Sequence, residues 1–240
     1  MGTYLVHTAL ILCGGRGERL RPLTDDIPKP LLPVAGKPIL EWQITTLVKN
    51  GVKRVVLCTG YKSEKIESYF KGRDLGVEII VSKEDPSKPL GTAGPILKAK
   101  QFIKETFMAL NGDIITNADL REMVSLHKSR KATVTILLVK LRSPYGVIEV
   151  NNSSRILSFK EKPTLPYWIN GGVYVMEPEI LDFIPDRGSL EEDVFPRVIK
   201  AGKIVLGFKT PENIYWRDIG TFKDYKAVNR ELSSNPELLQ

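Results

Sequence analysis

Histidine and cysteine are both scarce. The 240 residues hold only His7 and His127, and only Cys13 and Cys58. A His/Cys zinc site and a Ser-His-Asp triad therefore have almost nothing to be built from. Both cysteines follow apolar, β-prone runs and read as buried free thiols, with no disulfide expected. No apolar run is long enough to span a membrane. The opening "MGTYLVHTALILCGG" has no basic n-region and no small-residue cleavage site, so it reads as a first strand and a cytoplasmic location is expected. Basic residues never form a run of five, and no aromatic-basic RNA-binding pattern occurs. Nucleic acid and membrane surfaces are thus not expected partners.

Charge is present nonetheless. Thirty-five basic against 28 acidic residues give +7, a balance that suits phosphorylated metabolites, although most of it is solvated surface. With 42% hydrophobic and 26% charged residues, the chain has ordinary globular composition and ample length for a core. Its first half alternates strand and helix: "YLVHTALIL", "PILEWQITTLVKNG", "VKRVVLCTG", "SEKIESYF", "GVEIIVS", "AGPILKAKQFI" and "TFMALNGD". That rhythm is the signature of βαβ units and a mainly parallel sheet. A helix near "DLREMVSLHKS" follows, with Asp119 as cap and Glu122 three residues on. The rhythm then changes. "ATVTILLVKL", "GVIEVN" and "RILSFKEKP" come as consecutive strands with short turns, an antiparallel addition, and "WINGGVYVME" is one more strand. Capping boxes are expected at Ser189 with Glu192, despite Pro196, and at Thr221 with Asp224. No linker or repeat stands out, so residues 1–240 read as one domain.

The segment "CGGRGERLRPLTDDIPKPLLPVAGKP" (13–38) packs glycine, proline and basic residues into the connection after the first strand. Glycines at such a turn let backbone N–H groups approach phosphates. The dinucleotide fingerprint is excluded because Leu20 stands where a third glycine is needed, and no Gly-Lys-Ser/Thr opens a helix. The connection far exceeds the usual ~2–6 residues, and long loops at a first strand's carboxyl end tend to be functional. Arg19 offers a planar fork for phosphate oxygens. Lys29, between Pro28 and Pro30, is a pre-aimed cation. Lys-Pro alone says little, since it recurs at Lys37, Lys88 and Lys162.

Taken together, Gly-Gly-x-Gly-x-Arg-Leu followed by "RPLT" and "PKPLLPVAGKP" resembles the sugar-1-phosphate nucleotidylyltransferases. The resemblance continues through "LGTAGPI" (90–96), "LNGD" (110–113), "FKEKP" (159–163), "INGGVYV" (169–175) and "YWRDIGTFKDY" (215–225), in family order and over nearly the whole chain. It implies a Rossmann-like three-layer αβα fold with a mixed, mainly parallel sheet and an antiparallel sugar-binding insertion. Residues 1–130 would mainly bind NTP, 131–215 mainly the sugar phosphate, and 216–240 would carry a second metal segment and the C-terminal helix. The implied reaction is NTP plus sugar 1-phosphate giving NDP-sugar and pyrophosphate. The attacking phosphate is already an anion, so no histidine base is needed; positioning and charge neutralisation are.

The family pattern maps onto named residues. Leu12, Gly14, Gly15, Gly17, Gly91, Thr92 and Gly112 would bind the nucleotide. Arg19 would hold the β- and γ-phosphates and Lys29 the α-phosphate. Asp113 and Asp218 would hold Mg²⁺, a hard cation that favours oxygen ligands. Lys162 would hold the sugar phosphate, with Glu161, Asn170, Gly172 and Glu191 toward the sugar. Two departures stand out. Glu18 replaces a frequent threonine, a change expected to be tolerated because the side chain need not face the phosphates. No left-handed β-helix follows, so acyltransfer or assembly through one is not expected; a homo-oligomer is compatible with the reading. "LGTAGPI" and "YGVIEV" lean toward guanylyl transfer to mannose 1-phosphate, with thymidylyl, uridylyl or cytidylyl transfer to a hexose or heptose 1-phosphate as alternatives.

Each residue also has a structural reading. Asp113 and Asp218 could cap turns, Glu161–Lys162 could be an exposed ion pair, and Trp168 and Trp216 read as packing residues. Three rivals concern the whole chain. A glycosyltransferase would want Asp-x-Asp where Asn111-Gly112-Asp113 stands. A non-catalytic nucleotide-sugar sensor would be expected to lose Arg19, Lys29 or an aspartate. A basic nucleic-acid binder would show steep salt dependence.

Overall fold

Side chains that alternate along a buried strand must be covered on both faces, and this requirement organises the chain. The computed structural model describes residues 4–239. Seven strands form the central sheet: β1 (Thr8–Cys13), β2 (Arg54–Thr59), β3 (Glu78–Lys83), β4 (Phe107–Asn111), β5 (Val134–Arg142), β6 (Thr164–Met176) and β7 (Val205–Lys209), in spatial order β7-β5-β6-β4-β1-β2-β3. β1 pairs in parallel with both β2 and β4, and β7 with β5; β6 runs antiparallel to both of its neighbours. Along β1, Ala9, Ile11 and Cys13 enter one apolar cluster, while Leu10 and Leu12 face the other.

The first cluster is closed by α1 (Ile39–Lys49), α2 (Ser63–Phe70) and α4 (Leu120–Ser129). The second is closed by α3 (Gly94–Lys98), a 3₁₀ segment at Pro178–Phe183 and α5 (Phe195–Lys200). The result is the three-layer αβα arrangement that the family resemblance implies. Each Leu, Ile or Phe buried this way contributes about 1.5–3 kcal/mol. A third cluster joins Leu20, Leu32, Val34 and Ile39 to Ile115, Tyr215 and Ile219, and to Val228 and Leu232 of α6 (Phe222–Ser234). It anchors the long connection after β1 against the end of the chain. Among the described residues no helix is long and apolar enough to cross a membrane.

Several local expectations are corrected. The first strand begins at Thr8, because pairing starts at Thr8↔Arg54 and His7 O instead accepts from Lys53 N and Arg54 N. Residues 1–3 of the quoted opening lie outside the described residues. Of the three consecutive strands expected after α4, only the first joins the central sheet. Val147–Val150 and Ile156–Lys160 form a separate antiparallel ribbon, and β5 pairs instead with β6. Asp119 caps α4 by accepting from Arg121 N and Glu122 N, but no reciprocal bond from Glu122 completes a box. At Ser189 the returning carboxylate belongs to Asp193 and not to Glu192. The helix opens there as a π-turn over Leu190–Val194, which moves the reciprocating position on by one residue. The Thr221–Asp224 box forms as expected.

His127 lies at the edge of the sheet opposite Asp113. It is fully buried, with Nδ1 2.9 Å from Thr135 Oγ1 and Nε2 3.3 Å from Glu177 Oε1. Burial lowers its pKa, and Glu177 only partly restores it. The unfolded chain therefore takes up the proton more readily than the folded one. Stability is complete above the ordinary imidazole value near ~6.5 and is lost as pH falls through it. Melting temperature is expected to drop between about pH 7 and 5, and more shallowly in His127→Gln; parallel melting curves for the two proteins would remove His127 as the cause.

Candidate active site

β2 and β4 lie on opposite sides of β1, so the segments leaving the carboxyl ends of β1 and β4 diverge and open a crevice. Glycines permit the close approach there. Gly112 N donates to Leu12 O at 2.9 Å, and a Cβ at Gly112 would stand 2.7 Å from that oxygen. The cleft encloses about 620 Å³. Leu12, Gly14, Gly15, Gly17, Arg19, Lys29, Gly91, Thr92, Gly112 and Asp113 all line it. The structure therefore brings together every residue assigned to the nucleotide by sequence. It also adds residues that sequence reasoning missed: Arg16, Tyr61, Glu84 and Asn111, with Gly220. Glu18 lines the cleft as well.

The charged centre is tightly drawn. Lys29 Nζ meets Asp113 Oδ2 at 2.6 Å, a mostly buried pair with side-chain exposures of 14% and 26%. Lys29 is aimed by a 3₁₀ turn (Lys29–Leu31), whose neighbours Pro30 and Leu32 are buried. Arg19 precedes buried Leu20, and its guanidinium comes close to Gly220, as does Asp218 Oδ1. Among the described residues Arg19 makes no ion pair. Asp113 and Asp218 are side by side. Trp216–Asp218 pairs antiparallel with Ile114–Thr116, and Ile219 N donates to Asp113 O at 3.0 Å. Burial raises the pKa of Asp218, as does the neighbouring Asp113 charge, while Lys29 and Arg19 pull it back. Asp218 keeps an exposed edge, so water screens this repulsion. The hard oxygen pair suits a divalent cation that completes its shell with water and phosphate; among the described residues no cluster of three or more metal-ligating side chains occurs.

The residues assigned to the sugar divide into two groups. Asn170, Gly172 and Glu191 gather beside the cleft. Glu191 accepts from Tyr174 Oη (2.9 Å), Ser189 Oγ (2.9 Å), Thr92 Oγ1 (3.2 Å) and Asn170 Nδ2 (3.4 Å), which ties it to the cleft through Thr92. Gly172, at φ +68, sits where β6 shifts register, and a Cβ there would come 2.9 Å from Asn111 Nδ2. That bulge re-aims Asn170, whose Oδ1 accepts from Gly172 N. Glu161 and Lys162 are not brought into the cleft. They form an exposed pair at 3.4 Å where the outlying ribbon returns to β6. Asp218 and Trp216 instead line an adjoining cavity of about 780 Å³ with Lys140, Arg142 and Ile169.

Gln43 holds the turn that carries Asp113. It is buried on α1, and its Nε2 donates to Asn111 O (2.8 Å) and Ile114 O (2.9 Å), on either side of Gly112–Asp113. The only sequence signal for it is a polar residue within the apolar stripe Ile39, Leu40, Ile44 and Leu47. Gln43→Leu strands two buried carbonyls at about 1 kcal/mol or more each. It should lower the melting temperature by roughly 4–8 °C. A loss under 1 °C would mean that the turn holds without it.

Against this geometry, comparison with known proteins is direct. A sequence model of the nucleotidyl transferase family matches residues 8–235. The chain belongs to the nucleotidyl transferase family. It is similar to a UTP–glucose-1-phosphate uridylyltransferase of Synechocystis sp. (35% identity, covering 94% of this chain and 63% of the relative). It is also similar to a mannose-1-phosphate guanylyltransferase of Mycobacterium tuberculosis (37%, covering 97% and 66%). The chain thus spans under two thirds of the length of these curated relatives. Among solved structures it resembles HddC from Yersinia pseudotuberculosis complexed with GMP-PN (TM-score 0.74, 29% identity, covering 95% of this chain and all of that one).

Proposed function

We propose that this protein transfers a nucleoside monophosphate from an NTP to a sugar 1-phosphate, releasing pyrophosphate, with GTP and mannose 1-phosphate as the substrate pair. The observation that carries the reading is one cleft in which Arg19, Lys29 and Asp113 converge on a glycine-rich strand end. The similarity to mannose-1-phosphate guanylyltransferases supports the choice of substrates. Uridylyl transfer to glucose 1-phosphate is the second reading, favoured by the Synechocystis relative. Pyrophosphate release with ATP, CTP, GTP, UTP and dTTP against a panel of sugar 1-phosphates tests both. Release with no pair would sink the transfer reading.

The chemistry asked of the chain is positional and electrostatic. Backbone N–H groups of Gly14, Gly15 and Gly17 hold the triphosphate, and Arg19 clamps its distal phosphates. Lys29 leaves Asp113 for the α-phosphate, where charge builds. Asp113 and Asp218 would hold Mg²⁺, which supplies neutralisation of phosphate charge when bound. Lys162 is assigned to the incoming sugar phosphate by the family resemblance alone and would have to move in from its exposed position outside the cleft, with Asn170, Gly172 and Glu191 on the sugar.

Asp113→Asn and Asp218→Asn should each lower kcat on the order of 10²-fold or more at saturating Mg²⁺. For Asp218 the stability effect has a definite sign. A carboxyl whose folded pKa is raised costs stability once ionised, and the cost is relieved as pH falls through its folded value. Asp218→Asn should therefore leave the melting temperature at neutral pH unchanged or higher, by no more than ~2 °C given the screening. Near-normal turnover with unaltered Mg²⁺ dependence would remove either aspartate from the site.

Lys29 and Lys162 should separate kinetically. Lys162→Ala is expected to raise KM for sugar 1-phosphate more than KM for NTP, and Lys29→Ala to act mainly on kcat. The same pattern in both mutants would refute that division of labour.

A further inference from the structure

Two lysines at the start of α2 stand where the helix itself disfavours them. Lys62 occupies the position before the first turn, at φ 52 and ψ 37, and its side chain caps no amide of α2. Glycine or asparagine takes that left-handed backbone more easily, and serine or aspartate would cap the helix. Lys65 lies within the first turn, where the helix dipole disfavours a cation. Neither lysine makes an ion pair among the described residues. Local conflicts of this kind mark side chains kept for something other than their own helix.

Both lysines reach the loop that lines the nucleotide cleft. The connection after β1 contains a helical turn, Leu23–Asp26, whose last carbonyls have no partner within it. Lys62 Nζ donates to Asp25 O, and Lys65 Nζ donates to Asp26 O at 2.6 Å. Tyr61 Oη donates to Thr24 O at 3.5 Å, and Tyr61 N to Gly14 O at 3.0 Å. Residues 61–65 therefore hold successive carbonyls of the turn together with the first glycine of the loop. On its inner side the turn is joined to the next glycine. Thr24 is buried, and its Oγ1 donates to Gly17 O at 3.0 Å. A Cβ at Gly17 would stand 3.0 Å from both Thr24 Cγ2 and Lys29 Cβ. A turn that shifted would carry Gly17 with it, and with Gly17 the nearby Arg19 and Lys29.

We propose that Lys62 and Lys65 are positioning residues that brace this loop from outside, so that Arg19 and Lys29 meet a triphosphate without first having to be ordered. Neither lysine lines the cleft, so both act through the turn. The proposal rests on the transfer reading above for the presence of an NTP, but the brace exists in the free protein and can be measured there.

The test compares the natural chain with Lys62→Met/Lys65→Met and with Lys62→Arg/Lys65→Arg, in which guanidinium donors replace the ammonium ones. Trypsin cleavage after Arg16, Arg19 and Arg21 reads the loop without ligand. Calorimetry with GTP or UTP alone reads the nucleotide site, and KM is then measured for each substrate. In the methionine variant, loop cleavage should be at least about fivefold faster. GTP and UTP should each bind at least about fivefold more weakly, because the brace acts on the phosphates and not on the base. KM for sugar 1-phosphate should stay within about twofold, and melting temperature within about 2 °C. The arginine variant should behave like the natural chain. Lys62→Gly removes the left-handed strain along with the donor, so it should hold its melting temperature while weakening NTP, a combination that a purely structural role does not produce. Unchanged loop cleavage in the methionine variant would overturn the proposal, as would unchanged affinity where the natural chain binds NTP. Equal weakening of both substrates with a melting temperature lower by more than about 5 °C would also overturn it. Faster cleavage with no NTP bound by the natural chain would refute the transfer reading and leave the brace standing. Pyrophosphate release by the natural chain, with the methionine variant indistinguishable from it, would do the reverse.

Discussion

The site depends on one topological constraint: β1 lies between β2 and β4, and the chain leaves the carboxyl ends of β1 and β4 in opposite directions. Nothing can pack directly over that point, so backbone N–H groups and strand-end side chains face a crevice and not a core. Glycine at positions 14, 60 and 112 follows from the same crowding, since each lies where a Cβ would strike a neighbouring strand end or the Glu84 carboxylate. The cleft is thus a consequence of the strand order, and its residues are those that the order leaves uncovered.

A long connection could not by itself present two cations accurately, because conformational entropy grows with every free residue. Here the connection is pinned. Leu20, Leu32 and Val34 are buried against Ile115, Tyr215, Ile219 and α6, so Arg19 and Lys29 project from fixed neighbours. The Lys29–Asp113 pair then ties the loop to the end of β4 across 84 positions of sequence. Such a partly buried pair is a modest source of stability. Its value for the proposed reaction is that a cation and a carboxylate are already placed where phosphate charge must be met, so little reorganisation remains.

In the cleft Arg19 and Lys29 gather at the end bearing Asp113 and Gly220, while Glu84 stands apart between Gly14 and Gly60. The proposed reaction asks for no histidine, because the attacking phosphate is already an anion. His127 is occupied with Thr135 and Glu177 at the far edge of the sheet, where it serves packing and polar satisfaction. Both thiols are likewise withdrawn: burial pushes Cys58 up to about 12, and Cys13 is also held well above the ordinary thiol range.

Much of this was legible in the sequence. Strand and helix periodicity pointed to the parallel half, because alternation and 3.6-residue spacing are local consequences of burial; the three layers came with the family resemblance. The glycines with Arg19 and Lys29 pointed by themselves only to a turn held close to something anionic; the full nucleotide-lining set, Asp113 included, came from the family resemblance of the ordered motifs. What only the tertiary structure decided involves partners far apart in sequence. Gln43 bonding to Asn111 and Ile114, Thr92 reaching Glu191, and Glu84 filling the gap between Gly14 and Gly60 all join segments whose spacing carries no local signal. The separate ribbon at 147–160 was beyond sequence reasoning for the same reason, whereas the exposed Glu161–Lys162 pair is the structural reading that the sequence had already offered. Periodicity tells which face of a strand is apolar, but the choice of neighbouring strand is made by the packing of the whole sheet.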